Sequence, residues 1–350
     1  MPKQKEMEEV SFFKRYEFFI FITSFFLFII LIILFSNLSI ILAEPTCGDG
    51  SLYGTCSPTK PYYCDSGFLI EKASICSCPI NLTLNGDSCL SALQTEPKET
   101  TLKYFLNGEE NTLDFTVYGG MSGYLSNVSR IISYESGEKP LRADFKLKDI
   151  NEEEQRELLL PLVVKIQNLA ENKEDQARIA ISLVQNIEYG FSNKTDNFFG
   201  KEVNYSRYSY EVLYDSQGIC GEKSSLLAFL LRELGFETVI FYNQPENHES
   251  IGISCPKEKS YKETGYCFIE TTGPSIITDD AIEYVGGLTL NSEPEVISIS
   301  NGTSLPENLP EYKDAETMKR IRAGKFVLFA DSKLEKLREK YGLVEEYNIA

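Results

Sequence analysis

Residues 214–235 read YDSQGICGEKSSLLAFLLRELG. Gly218 precedes the Ile219-Cys220 pair and Gly221 follows it, and glycines there allow close backbone approach and unusual dihedrals. Downstream, Leu226, Leu227, Phe229, Leu230, Leu231 and Leu234 recur at helical spacing and form a broad apolar face, as for a helix buried in a core. Gly235 stops that helix as a C-cap residue does. The pattern predicts a tight turn that delivers Cys220 to a helix N-terminus, where the macrodipole and free amides favour a thiolate. The competing reading is a small buried residue at a helix start.

The only histidine of the chain, His248, follows downstream. A thiol nucleophile needs a base within hydrogen-bond reach, and the base needs an orienting acceptor. Residues 237–242, ETVIFY, have strand composition. A polar loop follows, and residues 248–255, HESIGISC, and 265–272, GYCFIETT, are read as two further strands. Glu270 then lies beside His248 across an antiparallel pair. A lone histidine is more often structural, but this one opens a strand just after the cysteine helix.

Glycine turn and cysteine, leucine-rich helix, strand, histidine, strand and acid follow in that order. This order resembles the transglutaminase-like superfamily of papain-type cysteine enzymes, in its microbial form. The segments ARIA at 177–180, IEY at 187–189 and YEVL at 210–213 resemble the lead-in of that family, and the likeness covers roughly residues 150–275. The resemblance implies an α+β domain with a helix-borne cysteine and an antiparallel sheet. It also implies Cys220 as nucleophile, His248 as base and Glu270 as acid, acting on a protein or peptide substrate without metal or cofactor. The family's acid is usually Asp in an Asp-Pro-Thr-like segment; here it is Glu-Thr-Thr, and the chain has no tryptophan. Gln217 and the Cys220 backbone N–H are the candidate oxyanion donors. Hydrolysis through a thioester acyl-enzyme, by a protease or amidase, is the first expectation. Crosslinking by transfer to an amine, and a catalytically silent binding or scaffold module at the cell surface, are the alternatives. A thiol oxidoreductase is disfavoured because no Cys-x-x-Cys pair accompanies Cys220.

The chain has 350 residues and a net charge of −18, which argues against nucleic acid as partner. Residues 1–17 are a charged head carrying Lys14 and Arg15 at its end. Residues 18–43 are uncharged and exceed the ~20 residues that span a bilayer, whereas a signal peptide's apolar region is ~7–15 residues. The expectation is an uncleaved signal anchor, a single transmembrane helix in the cell membrane. The basic flank then places the N-terminus in the cytoplasm and the catalytic domain outside.

Cysteine usage points the same way. Cys47, Cys56, Cys64, Cys76, Cys78 and Cys89 fall in a stretch, 44–90, with few core-forming residues, so disulfides are the expected staples. This stretch resembles small cysteine-rich modules of archaeal surface proteins and reads as a spacer or a recognition module. A metal site is disfavoured because the segment has no histidine. Of the other three cysteines, strand alternation puts Cys255 and Cys267 on one face and His248 and Glu270 on the other. That predicts a Cys255–Cys267 disulfide, leaves Cys220 free, and argues against a zinc site built from these residues.

Residues 91–100 read as a linker, 101–149 as a small β region broken by Gly119 and Gly120, and 150–275 as the catalytic domain. In that domain a helix opens at residue 151 with Pro161 inside it, and a second amphipathic helix covers 174–187. Residues 191–209 are read as a loop bordering the cleft, with Tyr205, Tyr208 and Tyr210 as candidate substrate contacts. Residues 276–350 form a C-terminal extension, irregular over 279–316, with a strand at 326–329 and a helix at 331–341. Asn81, Asn127, Asn193, Asn204 and Asn301 stand in glycosylation sequons.

Overall fold

The computed structural model describes residues 21, 23–29, 44–135, 137–198, 201–281 and 289–343. The chain divides into two units, Met1–Pro45 and Thr46–Ala350. In the first, residues 21 and 23–29 are helical. The transmembrane helix expected over 18–43 is corrected: among the described residues no helix is long and apolar enough to cross a membrane. The rest of that stretch, and the head at 1–17, lie outside the described residues. The single-pass topology with a cytoplasmic N-terminus falls with the same finding. Location is carried instead by four disulfides, which point to an extracellular setting.

The second unit is α+β with antiparallel sheets. It opens with the cysteine-rich segment: hairpin β1 (Tyr62–Asp65) and β2 (Phe68–Glu71), the short helix α1 (Ala73–Cys76), and hairpin β3 (Thr83–Asn85) and β4 (Ser88–Leu90). Cys47–Cys64, Cys56–Cys76 and Cys78–Cys89 staple it. Cys47, Tyr62, Cys64 and Leu69 form a small core that closes only by adding Val164 from a long helix of the main body. Asn168 of that helix also bonds both the N–H and the carbonyl of Leu69, at 2.8 and 3.0 Å. The segment is docked on that helix.

Strand β5 (Pro97–Leu106) begins inside the expected linker and pairs with β6 (Glu109–Tyr118). The β region stops at Tyr118, because Gly119 and Gly120 open helix α2 (Gly119–Asn127) rather than break a strand. Helices α3 (Arg142–Ile150), α4 (Glu153–Leu169) and α5 (Lys173–Gln185) follow. Pro161 lies inside α4, which runs on through it. Strand β7 (Glu188–Tyr189) comes next, and the stretch 191–209 expected to be a loop holds the strands β8 (Thr195–Phe198) and β9 (Lys201–Asn204).

Then come α6 (Ser209–Asp215), β10 (Gln217–Gly218) and α7 (Cys220–Glu233). The leucine face of α7 is fully buried from Leu226 to Leu231, and Gly235 adopts φ +89 just beyond its end, a conformation that favours glycine. Helix α7 packs on an antiparallel sheet of order β13-β12-β11-β14, made of β11 (Thr238–Asn243), β12 (His248–Ser254), β13 (Tyr266–Ile269) and β14 (Glu295–Ser300).

Strand β14 comes from the region expected to be irregular, so the sheet is completed from beyond residue 275. Helices α8 (Pro310–Arg322) and α9 (Ala330–Tyr341) end the described chain. The strand expected at 326–329 is corrected: these residues form the turn between α8 and α9, with Phe326 82% exposed and Phe329 in the left-handed region at φ 56. Four apolar residues in a row gave strand composition but have no partner strand there.

Candidate active site

Two short parallel strands set the entry to the cysteine helix. Gln217 pairs with Glu188 and Gly218 with Tyr189, fixing the chain just before Cys220. Glu222, in the first turn of α7, accepts from the Ile219 N–H at 3.1 Å and closes the helix start. Its carboxylate also takes the Arg207 backbone N–H at 2.8 Å and the Arg207 guanidinium at 3.0 Å. Cys220 is therefore held as the first residue of a buried helix, where its own N–H has no intrahelical acceptor. It is partly exposed and is the free cysteine among the described residues.

His248 opens β12 opposite Asn243 and is 3% exposed. Its Nε2 lies 2.8 Å from Glu270 Oε2. The Cys220 side chain also hydrogen-bonds the ring; with Nε2 engaged by Glu270, Nδ1 is the nitrogen left for the thiol. Burial works against a charged ring. The Glu270 carboxylate and the Cys220 side chain outweigh it and push the imidazole up to about 10.

Glu270 follows β13 and is fully buried. Its Oε1 accepts from the Thr271 N–H at 2.9 Å, the Thr272 N–H at 2.8 Å and the Thr272 hydroxyl at 2.8 Å. Burial favours the neutral acid, but His248 and these donors together hold the carboxyl below its usual range. The Glu-Thr-Thr segment thus carries its own anion cradle, which is why a longer acid than Asp is held rigidly. Behind it, Lys223 is buried and donates to the carbonyls of Ile187 at 2.6 Å, Thr272 at 3.1 Å and Gln185 at 3.3 Å. Burial lowers its ammonium to about 7, against the pull of Glu270. Sequence reasoning missed Lys223, Thr271 and Thr272. A glutamate and a lysine facing inward at the head of an otherwise leucine-rich helix were the available signal.

The other expectations fare differently. Gln217 Oε1 accepts from Arg207 Nη2 at 3.1 Å, and its amide lies across Gly190, where an added Cβ would meet Gln217 Nε2 at 2.0 Å. The Arg207 bond takes the carboxamide oxygen and leaves the Nε2 donor unengaged by it; Gln217 does not itself line the cavity at Cys220. Tyr189, across from Gly218, feels Cys220 instead: burial first, then Cys220, Glu222 and Glu270, push its phenol up to about 12.

Tyr210 is removed from the substrate contacts, because it is fully buried and its hydroxyl accepts the Tyr118 N–H at 2.7 Å. Tyr205 and Tyr208 do line a cavity of about 610 Å³. It adjoins a cavity of about 150 Å³ around Cys220, the two sharing Arg142, Lys146, Asp149, Ser206 and Arg207. Cys255 and Cys267 are bonded, bridging the end of β12 to β13. The asparagines Asn81, Asn127, Asn193, Asn204 and Asn301 are all exposed.

No protein-family model matches the chain, and no curated protein matches it. Among solved structures it is similar to Legionella pneumophila LapG, at 13% identity over 37% of this chain and 73% of that one, with a TM-score of 0.23. Calcium-bound Legionella pneumophila LapG gives 15% identity over 47% of this chain and 98% of that one, also with a TM-score of 0.23. So slight a likeness carries no argument, and the reading of the site rests on its geometry.

Proposed function

We propose that this chain is an extracellular cysteine hydrolase of the transglutaminase-like kind, acting on a protein or peptide through a thioester. The observation that carries the reading is the His248–Glu270 contact at 2.8 Å, with the Cys220 side chain on the same ring and a cavity in front of the thiol. His248 takes the proton of the Cys220 thiol. Cys220 Sγ attacks the carbonyl carbon of an amide, and the backbone N–H of Cys220 faces the developing oxyanion. His248 passes the proton to the leaving amine, the C–N bond breaks, and a thioester remains. Water then attacks the thioester. His248 takes its proton and returns it to the departing Sγ, releasing the acid. An amine in place of water gives a crosslink.

The test is labelling of Cys220 by iodoacetamide as a function of pH, read by mass spectrometry, beside turnover of casein and of glutamine-containing peptides. Labelling that slows strongly in His248→Ala, with turnover lost in Cys220→Ser, supports the reading. Labelling indifferent to His248 overturns it in favour of a silent binding module.

A further inference from the structure

The larger cavity next to the one at Cys220 is basic in a chain of net charge −18, whereas the cavity at Cys220 itself sets Arg142, Lys146 and Arg207 against Asp149, Glu222 and Glu249. Arg130, Arg142, Lys146, Lys148 and Arg207 line the outer cavity, and Asp149 is the carboxylate in its wall. Burial pushes the Asp149 carboxyl up to about 6, against Lys146 and its hydrogen bonds, so it is still mainly ionised at neutral pH.

Most of these cations are already engaged. Arg130 donates to the carbonyls of Ser206, Leu125 and Val128 and to Glu211. Arg207 is 3% exposed and binds Asp215, Glu222, Gln217 and the carbonyls of Gly190 and Phe191. Lys146 holds the Gly221 carbonyl at 3.0 Å, the Ser225 hydroxyl at 3.3 Å and Glu249 at 2.6 Å.

Arg142 differs from them. Its Nη1 meets Glu249, and among the described residues Nε and Nη2 have no hydrogen-bond partner. The guanidinium carbon sits 3.4 Å from the centroid of the Tyr242 ring, which fixes its plane. Its side chain is 35% exposed, and it borders both the Cys220 cavity and the larger one. Further out, Lys148 donates to the Ile131 carbonyl at 2.8 Å and keeps two ammonium protons for solvent or a ligand.

We propose that Arg142 is a specificity-determining residue that binds an acidic side chain of the substrate beside the scissile carbonyl, with Lys148 favouring a second acidic group further along the cleft. A planar guanidinium held on an aromatic face, with an open pair of N–H groups, is the arrangement that takes a carboxylate in bidentate fashion. Glu249 holds the arginine in place from behind. The inference rests on the acyl-transfer reading of Cys220 and names its substrate class as acidic polypeptides.

The test uses the full chain and tripeptidyl acyloxymethyl ketones that differ only in carrying Glu, Gln or Lys next to the electrophile. The rate of Cys220 modification is read by mass spectrometry at low and high salt. The Glu probe is expected to react about ten-fold or more faster than the Gln probe, given a charge-assisted contact. The Lys probe should be slowest, and the Glu advantage should shrink with salt. In Arg142→Gln the Glu-to-Gln ratio falls to about one, and Arg142→Glu favours the Lys probe. Equal rates for the three probes on the wild type overturn the proposal whatever the variants do, as does a Glu-to-Gln ratio that survives Arg142→Gln. Iodoacetamide labelling without modification by any probe overturns the acyl-transfer reading itself, a different failure from equal rates.

Discussion

Replacing Glu270 by Gln isolates the electrostatic core of the site. The amide keeps the acceptor that Thr271 and Thr272 hold at 2.8 to 2.9 Å, so the turn stays formed while the charge beside His248 is removed. The ring and carboxylate meet at 2.8 Å. With charge centres ~4 Å apart and an effective dielectric of ~20, the lost attraction is about 4 kcal/mol, or about three pKa units. His248 is pushed up to about 10 in the intact site. In Glu270→Gln it is expected to titrate near ~7 or below, because burial then acts with only the thiol opposing it.

The chain has one histidine, so the ring C–H signals in a proton NMR titration report this group without assignment. The sign of the linked stability follows. A ring raised in the folded state stabilises fully below its unfolded value of ~6.5 and loses that contribution as pH climbs through about 10. Denaturant midpoints should therefore separate wild type from Glu270→Gln most clearly at and just below pH ~6.5, and less as pH rises toward 10. They should converge above pH ~10. A ring that titrates near 10 in the variant, or near 6.5 in both proteins, would refute the reasoning.

Lys223→Met probes the opposite slope. An ammonium lowered to about 7 makes stability rise with pH between there and its unfolded ~10.4, against the fall due to His248, so the variant should lose stability with pH more steeply than wild type across that window, by up to ~1.4 kcal/mol per pH unit, in denaturant titrations. Gly252→Ala should destabilise by about 1–3 kcal/mol, because a Cβ there would meet Val239 Cγ2 at 2.7 Å and Phe241 at 2.8 Å; thermal unfolding measures it. Replacing Cys255 and Cys267 together by Ser removes a bridge across a sequence separation of 12 and should cost about 3 kcal/mol in chemical denaturation. That variant should leave iodoacetamide labelling of Cys220 intact.

What was legible in the sequence is what local pattern controls. The leucine spacing after Cys220 and the glycine after Leu234 define a helix with two ends. Alternation in residues 248–255 and 265–272 was enough to separate His248 and Glu270 from Cys255 and Cys267. What escaped depends on contacts distant in sequence. EVISIS at 295–300 is a strand because β11 offers it an edge, and the apolar run at 326–329 is not one because no edge reaches it. The partner of the Gln217 carboxamide oxygen, Arg207 ten positions earlier, is likewise set by the fold and not by local pattern. Of Tyr205, Tyr208 and Tyr210 only the first two reach a cavity, since α6 turns Tyr210 into the core.

The head of α7 explains why such a cluster of buried charge is tolerated. Leucines further along the helix bury without penalty, whereas Glu222 and Lys223 must each be desolvated beside Cys220. A buried ion costs several kcal/mol unless its hydrogen bonds are met, and here each is met by backbone that the site itself needs fixed. Glu222 closes the helix start through the Ile219 N–H, and Lys223 clamps the Thr272 carbonyl. Thr272 in turn supplies two of the donors on Glu270, and Glu270 orients His248. The order of the thiol, the ring and the acid is thus maintained by one chain of contacts running through the first turn of a single helix. Removing any inner charge should therefore alter the pH response of His248 before it alters the fold.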